Sequence, residues 1–203
     1  MLWDYIVTTV AKQNGMEPIS DRELVKKLAA RDERAYEILL DRYETPVYRF
    51  FYYSQGNHQT AQDQCGETFA RFVASVANLR ANNTHGLKAF IFAIARNILL
   101  ESFRKKRLIR EDMSLLEEVP GNGPSVFQEV SSPDELEFVL NIIGQFKEPE
   151  RQILLLRFVE DLKLDEIADV MKMPLNSVKS HVHRSRKRLC ELLSESSSFG
   201  QEV

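Results

Sequence analysis

Apolar residues recur every three or four positions along most of this sequence, which is the spacing of amphipathic α-helices. The pattern is clearest between residues 175 and 190. With about 100° between successive residues, one stripe of that helix collects Val178, Val182, Ser185 and Leu189. The opposite stripe collects the polar positions Ser180, His183, Arg184 and Lys187. We therefore expect one face of this helix to pack on a core and the other to be exposed.

A shorter amphipathic pattern, at residues 162–172, directly precedes this helix. Pro174 fixes φ where the second helix should begin, and Asn176 or Ser177 could cap its free N–H groups. Two helices joined by so short a turn predict a helix-turn-helix. The buried side of the first helix is expected to consist of Ile167, Ala168, Val170 and Met171.

Residues 175–190 contain five Lys or Arg and no acid, in a chain of formal net charge −3. A basic helix face of this kind favours contact with a polyanion such as DNA. The alternative is an ordinary surface helix with a solvated basic face. The agreement of the turn, the proline and both apolar stripes favours DNA binding.

The N-terminal half of the sequence predicts four further helices. Two lie within residues 20–54, and Ser20 with Glu23 has the spacing of a capping box at the start of the first. A third is expected over about 60–77 and a fourth over 87–107, after a polar loop. The third should bury Ala61, Cys65, Phe69, Phe72, Val73 and Val76, and the fourth Ile91, Ile94, Ala95 and Ile98.

Charge is distributed unevenly, which suggests how the chain is divided. Residues 1–107 carry 16 basic and 12 acidic side chains, whereas residues 108–135 carry one basic and seven acidic ones and several turn-forming residues. The predicted fold class is all-α, with two small helical domains joined by a flexible acidic linker. The expected parts are an N-terminal extension (1–19), a first domain (20–107), the linker (108–133), a helix-turn-helix domain (134–193) and a disordered tail (194–203).

Composition excludes several functional classes. The two cysteines, Cys65 and Cys190, are far apart, so neither a disulfide framework nor a zinc site is indicated, and the cytosol is the expected compartment. The longest apolar run is far below the roughly 20 residues that span a bilayer, so no membrane insertion is expected. The four histidines, His58, His85, His181 and His183, lack metal-ligand spacing, and no catalytic motif is visible. We expect no metal, no cofactor and no enzymatic activity.

Two polar features of the first domain allow both structural and functional interpretations. Asp63, Glu67 and Arg71 recur every four residues, which could simply be intrahelical ion pairing. The basic run 104–107 could only stabilise a helix C-terminus, or it could bind phosphate. An Asn-rich loop at 80–86, near that run and the aromatic residues Phe90 and Phe92, has the composition of a site for unpaired bases.

Three stretches together resemble the extracytoplasmic-function sigma factors of bacterial RNA polymerase, a two-domain group of the sigma-70 family. They are ETFARF (67–72), FIFAIARNILLESFRKKR (90–107) and PERQILLLRFVEDLKLDEIADVMKMPLNSVKSHVHRSRKRL (149–189). The third stretch alone would fit several helix-turn-helix families, whereas the order and spacing of all three across a variable linker indicate this family much more specifically. The resemblance implies promoter-directed transcription initiation, with core RNA polymerase and promoter DNA as partners.

The resemblance also implies roles for residues of the first domain. Its third helix would bind the clamp helices of the polymerase β′ subunit through Asp63, Glu67 and Arg71. Loop 80–87 would capture a flipped base of the minus-10 element, with Asn82 and Asn83 as candidates. Arg96, Asn97, Arg104 and Lys105 would lie along the adjacent DNA.

The sequence departs from the family pattern at several of these positions. Thr60, Gln62, Gln64 and Gly66 stand where acidic, acidic, leucine and glutamine residues are usual, so the core-binding contacts transfer least securely. Phe90 replaces a customary tryptophan. In the turn of the second domain, Lys172 stands where the family commonly has glycine, which would cost on the order of 1 kcal/mol if the residue is left-handed.

The second domain would contact the minus-35 element in the major groove. Ser180, His183 and Arg184 are the candidates for base edges, with His181 marginal, because Arg can be bidentate to guanine and Ser or His can donate or accept. Contacts to phosphate, which fix register without encoding sequence, are expected from Lys179, Arg186, Lys187 and Arg188. Further partners suggested by the family are the polymerase β flap and an anti-sigma protein.

One alternative class explains residues 149–190 equally well. A stand-alone helix-turn-helix transcription regulator, with a helical sensor or dimerisation domain, would contain the same motif but gives no role to the basic run 104–107 or to the Asn-rich loop. The acidic linker also has two interpretations. It could mimic RNA phosphate in a polymerase channel, or it could be a solvated disordered linker.

Overall fold

The structure, a computed structural model, describes residues 19–76, 86–113 and 135–198 of the chain. Within these ranges the secondary structure is helical. Most of the predicted N-terminal extension, Asn-rich loop and linker lie outside the described residues, as do Asn82, Asn83 and residues 199–203.

Four helices form the first of two compact units. They are α1 (Asp21–Ala29), α2 (Glu33–Gln55), α3 (His58–Val76) and α4 (Leu87–Met113). The Ser20 hydroxyl accepts a hydrogen bond from the Glu23 N–H at 3.3 Å, so α1 begins where the capping pattern predicted. Asp32 caps α2 in the same way, through the Arg34 N–H at 3.0 Å.

Aromatic and leucine side chains fill the core of this unit. Phe50 lies edge-on to Phe51 and to Phe92, with ring centroids 5.8 and 5.6 Å apart. The predicted buried side of α3 is confirmed except at Val73, whose residue surface is 40% exposed. Gln64 and Thr68 are buried on α3 instead, and on α4 the expected Ile94 is only half-buried. The apolar stripe is therefore rotated slightly from the one that hydropathy alone selects.

The predicted end of α4 at residue 107 was wrong, because the helix continues to Met113. Residues 108–113 contain neither glycine nor proline, so nothing in that sequence stops the helix where the charge changes sign. The same reasoning applies at the other end of the chain, where the final helix continues to Ser198, five residues into the predicted tail.

The second unit contains the remaining helices, which are α5 (Glu135–Gly144), α6 (Glu150–Leu154), α7 (Leu164–Met171) and α8 (Leu175–Ser198). A π-helical turn, Leu155–Val159, continues α6. The four residues expected to form the buried side of α7 are all buried, which confirms that prediction. Ile143, Ile153, Leu154 and Val178 are fully buried in the same unit.

Candidate nucleic-acid interface

The turn between α7 and α8 sets how α8 is presented. The backbone of Lys172 is left-handed, with φ 49° and ψ 46°. Glycine, which is usual at this position in the resembled family, adopts that conformation without strain. The N–H of Met173 donates to the Ala168 carbonyl at 3.0 Å and that of Lys172 to the Asp169 carbonyl at 3.2 Å. These two bonds form a Schellman motif that ends α7 and redirects the chain into α8.

The start of α8 differs from the predicted capping. The helix begins at Leu175, so Asn176 and Ser177 both lie inside it, and the prediction that either caps the helix was wrong. The Pro174 carbonyl accepts from the N–H groups of Ser177 and Val178, at 2.9 and 3.1 Å. Pro174 thus starts the helix, since its φ is already fixed near the helical value.

The exposed face of α8 carries the side chains that the helical pattern selected. Ser180, His183, Arg184 and Lys187 are all exposed, whereas Val178, Ser185 and Leu189 are buried. The Ser180 hydroxyl donates to the Asn176 carbonyl at 2.9 Å, so its oxygen can still accept a bond from a base. The described residues thus present a row of donors and acceptors on one side of an α-helix, which the major groove of B-DNA is wide enough to admit.

Lys179 and Arg186 are exposed on one flank of this row, where side chains of a groove-bound helix meet the DNA backbone. The other flank differs. His181 lies against Glu150 of α6, with Nδ1 3.3 Å from Oε1 and only 18% of its side chain exposed. The Arg188 guanidinium lies over the Phe146 ring, 5.3 Å from its centroid.

His181 and Arg188 therefore help to hold α8 on its own unit. Their partners Glu150 and Phe146 are far away in the sequence, so the helical pattern of α8 could not reveal them. Among the eight candidates on α8, His181 is half-buried, whereas Arg188 is exposed with its guanidinium over a ring of its own unit.

On α3, the Asp63 and Glu67 side chains are exposed and Arg71 is half-buried. The predicted intrahelical pair is present, with Arg71 Nη2 2.6 Å from Glu67 Oε1. Arg71 also makes two bonds to Glu101 of α4, at 3.0 and 2.7 Å. These bonds to Arg71 keep the pKa of the Glu101 carboxyl below its usual value. Sequence reasoning missed Glu101.

The residues of α4 predicted to lie along DNA fall into two groups. Arg104 and Lys105 are exposed near its C-terminal end, together with Lys106 and Arg107. Arg96 and Asn97, in the middle of the helix, are half-buried. The described chain thus has an exposed basic segment beside the α3 face.

The aromatic part of the predicted base-binding site needs correction. Phe92 is 0% exposed because its ring belongs to the core with Phe50, so it cannot stack on a base. Phe90 is half-buried and lies edge-on to Phe72, with centroids 6.0 Å apart. Phe90 and Phe92 are two positions apart on α4, so their side chains leave the helix in nearly opposite directions and only Phe90 lies near the surface.

A polar network at the end of α2 was also missed. The Gln55 side-chain oxygen accepts from Ser102 Oγ and from Lys106 Nζ, each at 3.2 Å. Its amide nitrogen donates to the buried Gln64 oxygen, at the position where the resembled family usually has leucine. The buried Gln64 side chain therefore has a hydrogen-bond partner within the unit, as buried polar groups generally require.

Within the described residues, no group of three or more His, Cys, Asp or Glu side chains could hold a metal ion. None of the described helices is long and apolar enough to span a membrane.

Two protein-family models match the chain. "Sigma-70 region 2" matches residues 39–109, and "Sigma-70, region 4" matches residues 139–189. The first match covers most of the α2–α4 bundle, and the second covers most of the described part of the second unit.

Curated relatives carry the same assignment. The ECF RNA polymerase sigma factor SigW of Bacillus subtilis is 26% identical over 83% of this chain and 94% of its own length. The ECF RNA polymerase sigma factor BldN of Streptomyces coelicolor is 29% identical, over 84% of this chain and 65% of its own length. The RNA polymerase sigma-H factor of Pseudomonas aeruginosa is 27% identical over 85% and 93%.

Solved structures show the same fold. A structure of CnrH in complex with the cytosolic domain of CnrY has a TM-score of 0.60 at 17% identity, covering 86% of this chain and 97% of the matched one. The sigma factor RpoE of Bartonella quintana, solved with the anti-sigma factor NepR, has a TM-score of 0.60 at 21% identity, covering 78% and 96%.

Proposed function

This chain is a sigma factor of the sigma-70 family, of the extracytoplasmic-function type, and we propose from this premise how its two units share promoter recognition. A sigma factor directs core RNA polymerase to promoters and supports initiation there. The residue roles proposed below rest on the exposed faces of α3, α4 and α8.

The second unit is proposed to bind the minus-35 element through α8 in the major groove. The single observation that carries this proposal is the exposed row Ser180, His183 and Arg184 on the second helix of a helix-turn-helix within the region 4 match. Arg184 can be bidentate to guanine, and Ser180 can accept from an adenine or cytosine amino group. Lys179, Arg186 and Lys187 would contact phosphates.

The first unit is proposed to bind core polymerase through α3 and the minus-10 region through α4. Asp63 and Glu67 are exposed one turn apart and would meet basic side chains of the β′ clamp helices. Arg104 and Lys105 would follow the DNA backbone, while the unpaired bases would be held by the segment that contains Asn82 and Asn83. The residues named here lie within the region 2 family match, 39–109, which supports the proposal.

Division between two units has a quantitative consequence. Each unit alone has a small contact area with DNA and should bind weakly. When the polymerase holds both, the second contact becomes intramolecular, and avidity can exceed either affinity by about 10²–10⁴. Promoter choice would then depend on the spacing of the two elements as well as on their sequences.

The protein is proposed to act in the cytoplasm by binding alone, without catalysis by its own residues. An anti-sigma protein is a proposed regulatory partner, since the related RpoE of Bartonella quintana was solved with the anti-sigma factor NepR. Contact with the polymerase β flap is proposed for the second unit.

A gel shift with a promoter fragment tests this function. We expect the purified full chain to give no stable complex at physiological salt, and a specific complex to form once core polymerase is added. Tight, specific binding by the chain alone would instead support a stand-alone helix-turn-helix regulator. The salt concentration must be fixed, because phosphate contacts make affinity steeply salt-dependent.

A further inference from the structure

Glu101 lies on α4 between the residues proposed to face DNA, yet its carboxylate is directed to α3. Arg71 Nη1 donates to Oε1 at 3.0 Å and Nη2 donates to Oε2 at 2.7 Å. This is the parallel two-bond geometry that fits a guanidinium to a carboxylate and adds orientation to attraction. The contact joins two helices across 30 positions of sequence.

The same guanidinium reaches the proposed polymerase-binding face. Arg71 Nη2 also donates to Glu67 Oε1 at 2.6 Å, and one turn earlier Gln59 Nε2 donates to Asp63 Oδ1 at 3.2 Å. Both acidic side chains of this face are therefore held by neighbours. Arg71 is the connection between Glu67 and α4.

Little of this arrangement is expected to contribute to folding stability. The side chains of Arg71, Glu67 and Glu101 are 40, 46 and 45% exposed, and ion pairs at that exposure add little. The arrangement can instead increase binding affinity. Immobilising flexible side chains during binding costs free energy, and that cost is smaller when the side chains are already ordered before the partner binds. An ion triad on a binding face is suited to that purpose.

We infer that Glu101 is a positioning residue for polymerase binding, which fixes the Arg71 guanidinium and, through it, the Glu67 carboxylate on the α3 face. This inference rests on the proposed function of that face. It assigns Arg71 an internal role, as the link between two carboxylates. Its bonds to Arg71 favour the ionised form of Glu101 and lower the pKa of its carboxyl.

A double-mutant cycle in the full chain tests the inference, with affinity for core polymerase as the measurement. Glu101→Gln removes the charge and keeps the size. We expect it to weaken core binding about 3- to 10-fold, the cost of ordering one or two flexible side chains. In an Arg71→Gln background, Glu101→Gln should have no further effect, since Glu101 acts only through Arg71.

Asp21→Asn is the matched control, because Asp21 makes a 2.8 Å ion pair with Arg42 that joins α1 to α2 in the same unit. It should leave core affinity within about twofold, as expected for an independent site. Glu101→Asp, which keeps the charge and shortens its reach, should fall between the parent chain and Glu101→Gln. Circular dichroism should show the same helicity for all variants.

Three results would overturn the inference. They are unchanged core affinity in Glu101→Gln, an equal loss in Asp21→Asn, or losses that add in the Arg71→Gln background. Failure of the parent chain to bind core polymerase would instead refute the proposed function.

Discussion

Lys172 stands where the resembled family commonly has glycine, and the structure places it in the left-handed region, with φ 49°. A side chain with a Cβ pays about 1–2 kcal/mol there, which glycine avoids at some cost in unfolded-state entropy. Helix α7 ends in a Schellman motif although the left-handed residue is a lysine.

We predict that Lys172→Gly stabilises the chain by about 1 kcal/mol, because it relieves the left-handed strain. Urea denaturation of the full chain measures this. Lys172→Ala is the control, since it removes the same side chain but keeps the Cβ. If the glycine variant is no more stable than the alanine variant, strain at Lys172 is not the cause.

Arg184 and Lys187 lie on the same exposed face but are expected to contribute differently. Arg184→Ala should lower affinity for promoters with the correct upstream element by about 1–3 kcal/mol and relax specificity at one position. Lys187→Ala should weaken binding to all sequences about equally and reduce the salt dependence. Binding of the polymerase holoenzyme to matched and mismatched minus-35 sequences separates the two. Equal, sequence-blind losses for both variants would refute the assigned roles.

At the scale of elements, the helices follow from hydrophobic periodicity, and the positions that failed have local causes. Val73 satisfies the apolar spacing of α3 but is 40% exposed, while the polar Gln64 is buried because Gln55 pairs with it. The capping of α1 was predictable from Ser20, whereas that of α8 was not, because a proline carbonyl replaced the expected side chain.

Gly66 gives a prediction for α3. It lies inside the helix His58–Val76, and a Cβ added there meets no atom within 4 Å. Gly66→Ala should therefore stabilise the chain by about 0.5–1 kcal/mol, through reduced backbone entropy of the unfolded state. Thermal and urea unfolding measure the change.

Gly56 is the matched control for that prediction. It ends α2 with φ 69°, where a Cβ is strained, so Gly56→Ala should have the opposite sign. A loss of stability in Gly66→Ala would contradict the prediction, because it would mean that the added methyl group clashes with a neighbouring atom.

At the scale of the whole molecule, contacts between distant segments are what the sequence could not supply. Arg71 with Glu101 and His181 with Glu150 each join residues about 30 positions apart, and Gln55 with Lys106 joins residues 51 apart. Periodicity assigns each residue to a face of its own helix and contains no information on which faces meet. The exposed row on α8 was predictable because it depends on one helix alone.

We propose that two weak DNA-binding units become selective when core polymerase holds both. This proposal can be tested by in vitro transcription with purified core enzyme and genomic DNA, with and without this chain. We predict new transcription starts that require the chain and that share upstream elements at a fixed spacing. Starts that are unchanged by adding the chain, or that occur without any common spacing, would contradict it.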